Sequence, residues 1–310
     1  MSLKISLIIP AHNEAERLAA GYVRLAPTLD ELDSNQTEVI VIDDGSTDET
    51  LRVAHEVYGH LPHARFVQQP QNLGKGAAVR LGIALAQGES IITADADMAI
   101  NPEHFAAMVT SLRDANMSPG SRTIKGTIRY DSALRTWAGG AFNYLVRHYT
   151  GTTMRDTQCG CKAFQRGAAR LLGLLGLIDG FAFDAEMFYL AQQLDLTVKP
   201  QPVTWTDVVG SSVRVGRDSL HMLRDLRQLP RTRYENPVVQ LHPNISVQEV
   251  AEAAQSARVQ GLVIARGPLD ALVVLPRDGS LGGLGIAASL KGTLRVAQLN
   301  EFRGRTLDAV

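Results

Sequence analysis

With 310 residues, 45% of them hydrophobic and 20% charged, the chain has the composition of a folded globular protein, which excludes disordered, collagen-like and coiled-coil classes. Lysine plus arginine number 31 against 32 acidic residues, a net charge of −1, so no global field recruits nucleic acid, and only local basic patches are compatible with that balance. Single cores stop growing near ~250–300 residues, so the length implies one large domain or a domain with an appendage. Two cysteines, Cys159 and Cys161, make no disulfide framework and suit a reducing compartment. The opening Met-Ser-Leu-Lys lacks signal-peptide anatomy, and Arg170 interrupts the longest apolar run, Ala168 to Ile178. That run falls short of the ~18 residues needed to span a bilayer. The expectation is a cytoplasmic protein, soluble or peripheral.

Strand and helix patterns alternate through the first third. Lys4–Ile9 reads as a buried strand, Glu14–Leu32 as a helix, Glu38–Ile42 as a strand and Thr47–Tyr58 as a helix. Arg65–Gln68 is a short strand, Ala77–Gln87 a helix, Ser90–Ala94 a strand ending in Asp95-Ala-Asp97, and Pro102–Arg113 a helix with proline in its first turn. Short β-branched strands alternating with helices predict a mostly parallel sheet covered on both faces. Polar residues that follow its strands then converge at the carboxyl edge, where open α/β sheets bind ligands. Further on, Asp131–Tyr149 is amphipathic and aromatic, Phe183–Leu194 helical, Lys199–Trp205 strand-like and Asp218–Leu229 a basic amphipathic helix. The segment from Pro230 to Pro243 reads as a linker, which divides the chain into a domain of residues 1–235 and a small C-terminal α/β module, 236–310. In that module a helix is expected at Val247–Arg258, strands at Gly261–Ala265 and Ala271–Leu275, a turn at Gly279–Gly285, and a last strand or helix.

Four segments carry chemistry: Ile8-Ile-Pro10-Ala11-His-Asn13-Glu14, Val41-Ile-Asp43-Asp44-Gly-Ser-Thr-Asp48, Asn72-Leu-Gly-Lys75-Gly76 and Thr93-Ala-Asp95-Ala96-Asp97. In the second, a strand ends in carboxylates and Gly45 permits a tight turn; a carboxylate there can accept from a base N–H or a ribose hydroxyl, while Ser46 or Asp48 suits helix capping. In the fourth, two carboxylates two residues apart at a strand end can share a hard divalent cation that neutralises a diphosphate. Gly74-Lys75-Gly76 lacks the spacing of a phosphate loop, and no G-x-G-x-x-G follows the first strand, so those nucleotide-binding classes lose support. A C-x-C pair without a matching histidine pair is a poor zinc signature, which leaves Cys159 and Cys161 as structural thiols.

In order and register, these segments resemble the GT-A nucleotide-sugar domain of the inverting family 2 glycosyltransferases, over residues 5 to about 230. Three later segments, Asp156-Thr-Gln-Cys-Gly-Cys-Lys162, Phe181-Ala-Phe-Asp184-Ala-Glu186 and Trp205–Arg214, look like the subgroup acting on dolichyl and bacterial polyprenyl phosphates, with Cys161 where phenylalanine is usual. The resemblance implies transfer of a sugar from a nucleotide diphosphate to a polyprenyl phosphate, with a UDP-sugar favoured over a GDP-sugar. It implies Mg²⁺ or Mn²⁺ on Asp95 and Asp97, and nucleotide-sugar contacts from Pro10, Ala11, Asn13, Glu14, Asp43, Asp44, Lys75, Asp95, Ala96 and Arg214. Ala99 stands where some lipid-phosphate members carry a further polar ligand. Asp97, Asp184, Arg122 and Arg135 are the catalytic candidates: guanidinium forks suit the acceptor phosphate, and Asp184 suits orientation of sugar hydroxyls or acceptor. An acceptor phosphate, with a second pKa near ~6, needs no base at neutral pH. Two alternatives stand beside this reading: a hydroxyl acceptor with Asp184 or Glu186 as general base, and a nucleotide-sugar binding module without turnover.

The aromatic segment and the basic helix, with Arg224, Arg227, Arg231 and Arg233 near Leu220, Leu223 and Leu226, fit peripheral contact with an anionic membrane, on its cytoplasmic face, in the assembly of cell-envelope glycans. A helix that turns its leucines to the core explains them equally well. Sugar identity, acceptor chain length and homo-oligomer formation are not encoded in any motif.

Overall fold

The computed structural model describes residues 4–130, 133–206, 217–229, 238–240, 264–266, 272–274 and 285–287. Strand β1 (Ile5–Ala11) is buried along its length apart from Pro10, because helices cover both faces. Chain order continues α1 (Ala15–Glu31), β2 (Thr37–Asp43), α2 (Thr50–Tyr58), β3 (Ala64–Gln68), α3 (Lys75–Leu85), β4 (Ser90–Thr93), a 3₁₀ turn at Pro102–His104 and α4 (Phe105–Ser111). Then come β5 (Met117–Ser121), β6 (Ile128–Tyr130), α5 (Ala133–Thr150), β7 (Lys162–Gln165), α6 (Arg166–Leu175), α7 (Phe183–Gln193), β8 (Gln201–Pro202), β9 (Thr204–Thr206) and α8 (Arg217–Gln228).

Seven strands form one sheet in the order β3-β2-β1-β4-β7-β5-β8. β3, β2, β1 and β4 are mutually parallel, whereas β7 runs antiparallel between β4 and β5. Successive strand residues feed opposite layers. Ile8, Ile40, Ile42 and Ile91 pack with α3, α6 and α7, while Leu7, Ile9, Val39, Val41 and Ile92 pack with α1, α2 and α4. α1 shows the matching stripe, burying Leu18, Gly21, Leu25, Thr28 and Leu29 at helical spacing.

The second half of the domain differs from the sequence expectation in its strands and in one helix. The strand expected over Lys199–Trp205 divides into β8 and β9, which pair with different partners, β5 and β6. Strands β5 and β7 and helix α6 arise where no element was expected: Met117-Ser-Pro-Gly-Ser121 is poor in strand-formers, but the register Pro119↔Lys162 holds it beside β7. On α8 the alternative of a core-facing leucine holds for Leu226. Leu226, with neighbouring Leu229, is buried against Val146 and Ala185, while Arg224 and Arg227 are exposed.

In the C-terminal module β10 (Val238–Gln240), β11 (Ile264–Arg266), β12 (Leu272–Val274) and β13 (Gly285–Ala287) make a separate four-stranded sheet. β11 and β12 fall within or beside the two strands expected there. The expected helix Val247–Arg258 lies outside the described residues.

Candidate active site

The registers Ala11↔Asp43 and Ile8↔Thr93 bring the ends of β1, β2 and β4 to one edge, so the four motifs meet there. Asp95-Ala96-Asp97 follows β4 and turns back through Met98, whose φ of 46° lies in the left-handed region and whose N–H donates to the Asp95 carbonyl at 3.0 Å. α1 supports this turn from behind: a side chain at Gly21 would overlap the Ala96 carbonyl. Gly160 does the same from the other side, where a Cβ would overlap the Asp95 carboxylate.

Three cations surround Asp95. Lys75 Nζ lies 2.5 Å from its Oδ1, and Lys162 and Arg122 add their fields. Burial opposes ionisation of Asp95, but Lys75 above all, then Lys162 and Arg122, hold its carboxyl below the usual range. Asp97 goes the other way. Burial and the neighbouring Asp95 push its carboxyl up, against the Ala99 amide at 3.0 Å and Arg17 at 3.6 Å. Asp95 is the more accessible of the pair, with 38% of its side chain exposed against 16% for Asp97. Lys75 itself is raised: burial works against its charge, but Asp95, Asp184 and Asp97 more than restore it.

Behind the edge lie two ion pairs, Lys162–Asp184 buried on both sides and Arg122–Asp156 with a buried carboxylate and a partly buried arginine. Lys162, at the start of β7, donates to Asp184 Oδ1 at 2.6 Å and to the Cys159 carbonyl at 2.5 Å. Arg122, following β5, grips Asp156 with Nε at 2.9 Å and Nη2 at 2.8 Å, while its backbone N–H donates to the same carboxylate at 2.8 Å. Its guanidinium also stands over the Trp205 ring, 5.8 Å from the centroid. Asp184, Lys75, Asp95, Lys162 and Arg122 thus form one electrostatic unit. Lys162 and the partner role of Asp156 were not singled out by sequence reasoning, although both sit in the segment Asp156–Lys162; a lysine and an aspartate inside that motif were the available signal.

The remaining sequence candidates are nearby but internally engaged. Asp43, fully buried, accepts from Ser46 N–H at 2.9 Å and Gln68 Nε2 at 2.8 Å. Asp44 accepts from Gln69 Nε2 at 2.7 Å, Leu73 N–H at 2.8 Å and Gly74 N–H at 2.9 Å; burial still pushes its carboxyl up. Asn13, at φ 54°, braces the two loops by accepting from the Thr47 N–H at 2.9 Å and Asp48 N–H at 3.3 Å. Glu14 pairs with Arg17 at 2.5 Å. These four carboxylates and amides therefore shape the cleft, and any nucleotide contact uses their remaining lone pairs. Pro10, Ala11 and Ala96 line the same edge with backbone and small side chains. Arg135 lies in the first turn of α5, and Arg214 lies outside the described residues.

Gly74 and Gly76 have a different use from a phosphate loop. The Asp179 carbonyl already accepts from the Gly76 N–H at 2.6 Å, so the first turn of α3 is capped from within the chain. Glu186 is similarly occupied, accepting from the N–H groups of Leu177 and Ile178 at 2.9 Å each. Both cysteines are buried; burial pushes the Cys159 thiol up to about 11 and Cys161 well above its ordinary value, the behaviour of structural thiols. Among the described residues no group of three His, Cys, Asp or Glu side chains is arranged to hold a metal.

The carboxyl edge of this α/β sheet thus presents an acid pair beside one buried and two partly buried cations. Comparison with known proteins makes this specific: the chain belongs to glycosyl transferase family 2, whose model matches residues 6–173. It is a glycosyltransferase. It is 34% identical over 240 residues to a Drosophila melanogaster protein named dolichyl-phosphate beta-glucosyltransferase, covering 73% of this chain and 74% of that one. A Mus musculus protein of the same name is 35% identical over 251 residues, covering 74% and 76%. Among solved structures, glucosyl-3-phosphoglycerate synthase from Mycobacterium tuberculosis, in complex with Mn²⁺, UDP and phosphoglyceric acid, superposes with a TM-score of 0.53 at 21% identity, covering 76% of this chain and 80% of that one. The shared fold is GT-A.

Proposed function

We propose that the chain transfers a hexosyl group from a uridine-diphosphate sugar to a polyprenyl phosphate at the carboxyl edge of the sheet. The observation that carries the reading is the Asp95–Asp97 pair at the end of β4, ringed by Lys75, Lys162 and Arg122. The names of the curated relatives support the acceptor.

The acid pair fits a hard divalent ion. Asp97 is pushed towards neutrality by Asp95 and by burial, a repulsion that a shared cation removes, and carboxylate oxygens are the donors Mg²⁺ and Mn²⁺ prefer. Bound there, the ion neutralises charge on the departing diphosphate. Lys75, already beside Asp95, adds a positive charge for that diphosphate; Arg214 is assigned the same task. The base and ribose are assigned to Pro10, Ala11, Asn13, Glu14, Asp43, Asp44 and Ala96, which stand at that edge. An acceptor phosphate oxygen forms its bond to the anomeric carbon as the bond to UDP breaks on the opposite face, which inverts configuration. Arg122, through the guanidinium N–H groups that Asp156 does not take, and Arg135 position that phosphate, and Asp184 orients sugar or acceptor.

The hydroxyl-acceptor alternative needs a base with a lone pair open to the cleft. Glu186 turns both oxygens to backbone amides, and Asp184 is buried against Lys162. Both arrangements favour a nucleophile that arrives ionised. Incubation with labelled nucleotide sugars, a short polyprenyl phosphate and Mg²⁺ or Mn²⁺ tests the reading; labelled lipid product supports it, and nucleotide binding without single-turnover transfer supports a binding module.

Residues 1–235 make the catalytic domain in this reading, and 236–310 a module dispensable for chemistry. Among the described residues no helix is long and apolar enough to cross a membrane. Contact with a lipid acceptor is assigned, on the exposure of these side chains, to the basic Arg224 and Arg227 of α8 together with Tyr144 on α5, at the cytoplasmic face of an anionic membrane.

A further inference from the structure

We infer that Glu186 is a positioning residue that acts through the 176–180 loop to aim Lys75 at the acid pair. The inference rests on the assignment of Lys75 to the diphosphate, and it gives the second acid of the Asp184-Ala-Glu186 segment a task other than that of a base.

Glu186 on α7 is 1% exposed, and its two oxygens accept from the consecutive N–H groups of Leu177 and Ile178. A carboxylate with two acceptors facing two adjacent amides fixes that peptide in place and orientation. The next residue carries the constraint across to α3. The Asp179 carbonyl accepts from Gly76 N–H at 2.6 Å and Ala77 N–H at 3.4 Å. Arg80, one turn further along α3, donates to the Ile178 carbonyl at 2.6 Å and pairs with the Asp179 carboxylate. The two backbones touch directly: a Cβ at Gly74 would overlap the Asp179 carbonyl, and one at Gly76 the Ile178 carbonyl. Only glycine permits this approach, and Gly74, at φ 108°, also needs glycine for its conformation.

Asp44 holds the other side of the same turn through the Leu73 and Gly74 N–H groups. Lys75 is the residue between these two clamps. Its side chain crosses beside Phe183, with Nζ 6.0 Å from the ring centroid, and ends 2.5 Å from Asp95 Oδ1. A lysine side chain is flexible, so fixing its backbone from both sides is what makes one rotamer point at the acid pair.

A double-mutant cycle tests this, with Glu186→Gln, Lys75→Met and both together. Glutamine keeps one acceptor but turns an NH₂ towards an amide that needs an acceptor, so the loop loses one anchor. Calorimetric affinity for UDP in Mg²⁺ should fall about tenfold for Glu186→Gln, and by less than about twofold when Lys75 is already methionine, since contacts acting through one group are not additive. In parallel, labelling of the Lys75 amine by acetic anhydride, read by peptide mass spectrometry, should accelerate severalfold in Glu186→Gln. Arg80→Met, which cuts the loop–helix tether at a partly exposed site, should reproduce both effects if the buried variant folds poorly. Equal losses of UDP affinity in both backgrounds with unchanged labelling would overturn the inference. So would a Glu186→Gln enzyme that binds UDP normally yet transfers nothing, because that is the behaviour of a base. Faster labelling in a protein with no UDP affinity would instead retain the positioning role and reject the nucleotide reading.

Discussion

Arg122→Ala removes a buried fork rather than a surface charge, and its consequences can be worked through. The guanidinium makes two parallel bonds to Asp156, whose side chain is 1% exposed against 19% for Arg122. Deleting the arginine leaves a buried carboxylate supported among these contacts by the residue-122 amide alone, and breaking such a pair typically costs about 3–5 kcal/mol. In a domain of this size, about 1 kcal/mol shifts Tm by roughly 2–4 °C, so the expected fall is about 6–20 °C. Asp156→Asn, which leaves no uncompensated anion, should cost less, and a double replacement by leucine less than Arg122→Ala alone. The pH dependence has a definite sign. Burial tends to raise the Asp156 carboxyl, but Arg122 holds it below its ordinary value. Its contribution is therefore complete above the unfolded value of ~3.9 and is lost as pH falls through the lower folded value. The deficit of Arg122→Ala should be full at neutral pH and shrink below about pH 4. Urea unfolding at pH 7 and pH 3.5 measures both. An unchanged midpoint at pH 7 would refute the account of Arg122 as part of the framework. In folded protein the variant should also raise KM for polyprenyl phosphate, by about thirtyfold if a charge-assisted contact of about 2 kcal/mol is lost.

Other expectations follow from the same geometry. Asp97→Ala should abolish transfer and cation-dependent UDP binding with a circular-dichroism spectrum like the parent's, since the residue sits in a turn outside the strands; activity in that variant or in excess chelator would remove the cation from the mechanism. Asp184→Asn should lower kcat without abolishing it, and its pH–rate profile should still follow phosphate ionisation; a dead variant would point to a base. A chain ending near Tyr234 should keep its turnover per folded molecule towards a short soluble acceptor. Loss of turnover in a folded product would assign residues 236–310 to the site.

Much of the sheet edge was legible in the sequence because its determinants are local. β1, β2 and β4 are β-branched runs that end in their own functional residues, and each is followed by a helix. What was hidden depends on partners far apart in the chain. Lys162 reads only as the end of the Asp156–Lys162 segment until β7 inserts antiparallel beside β4 and carries it to Asp184. Arg122 reads as a free phosphate fork until Asp156, 34 residues later, fills it. The spacing of Gly74 and Gly76 speaks against a phosphate loop, but their actual use, a close approach to the 178–179 backbone with the Gly76 amide donating to Asp179, depends on a segment about 100 residues away. β5 was invisible because Ser118, Pro119 and Gly120 have weak strand propensity, and its neighbours impose the conformation.

The acceptor is the central claim, and a competition assay addresses it most directly. The full-length protein is given a radiolabelled UDP-sugar, Mg²⁺ and equal concentrations of a short polyprenyl phosphate and the corresponding free polyprenol, with a simple saccharide as third acceptor. The account predicts label in the polyprenyl-phosphate product alone, lost on chelation and restored by Mg²⁺ or Mn²⁺. Label on the saccharide or the polyprenol, with the lipid phosphate untouched, would contradict it.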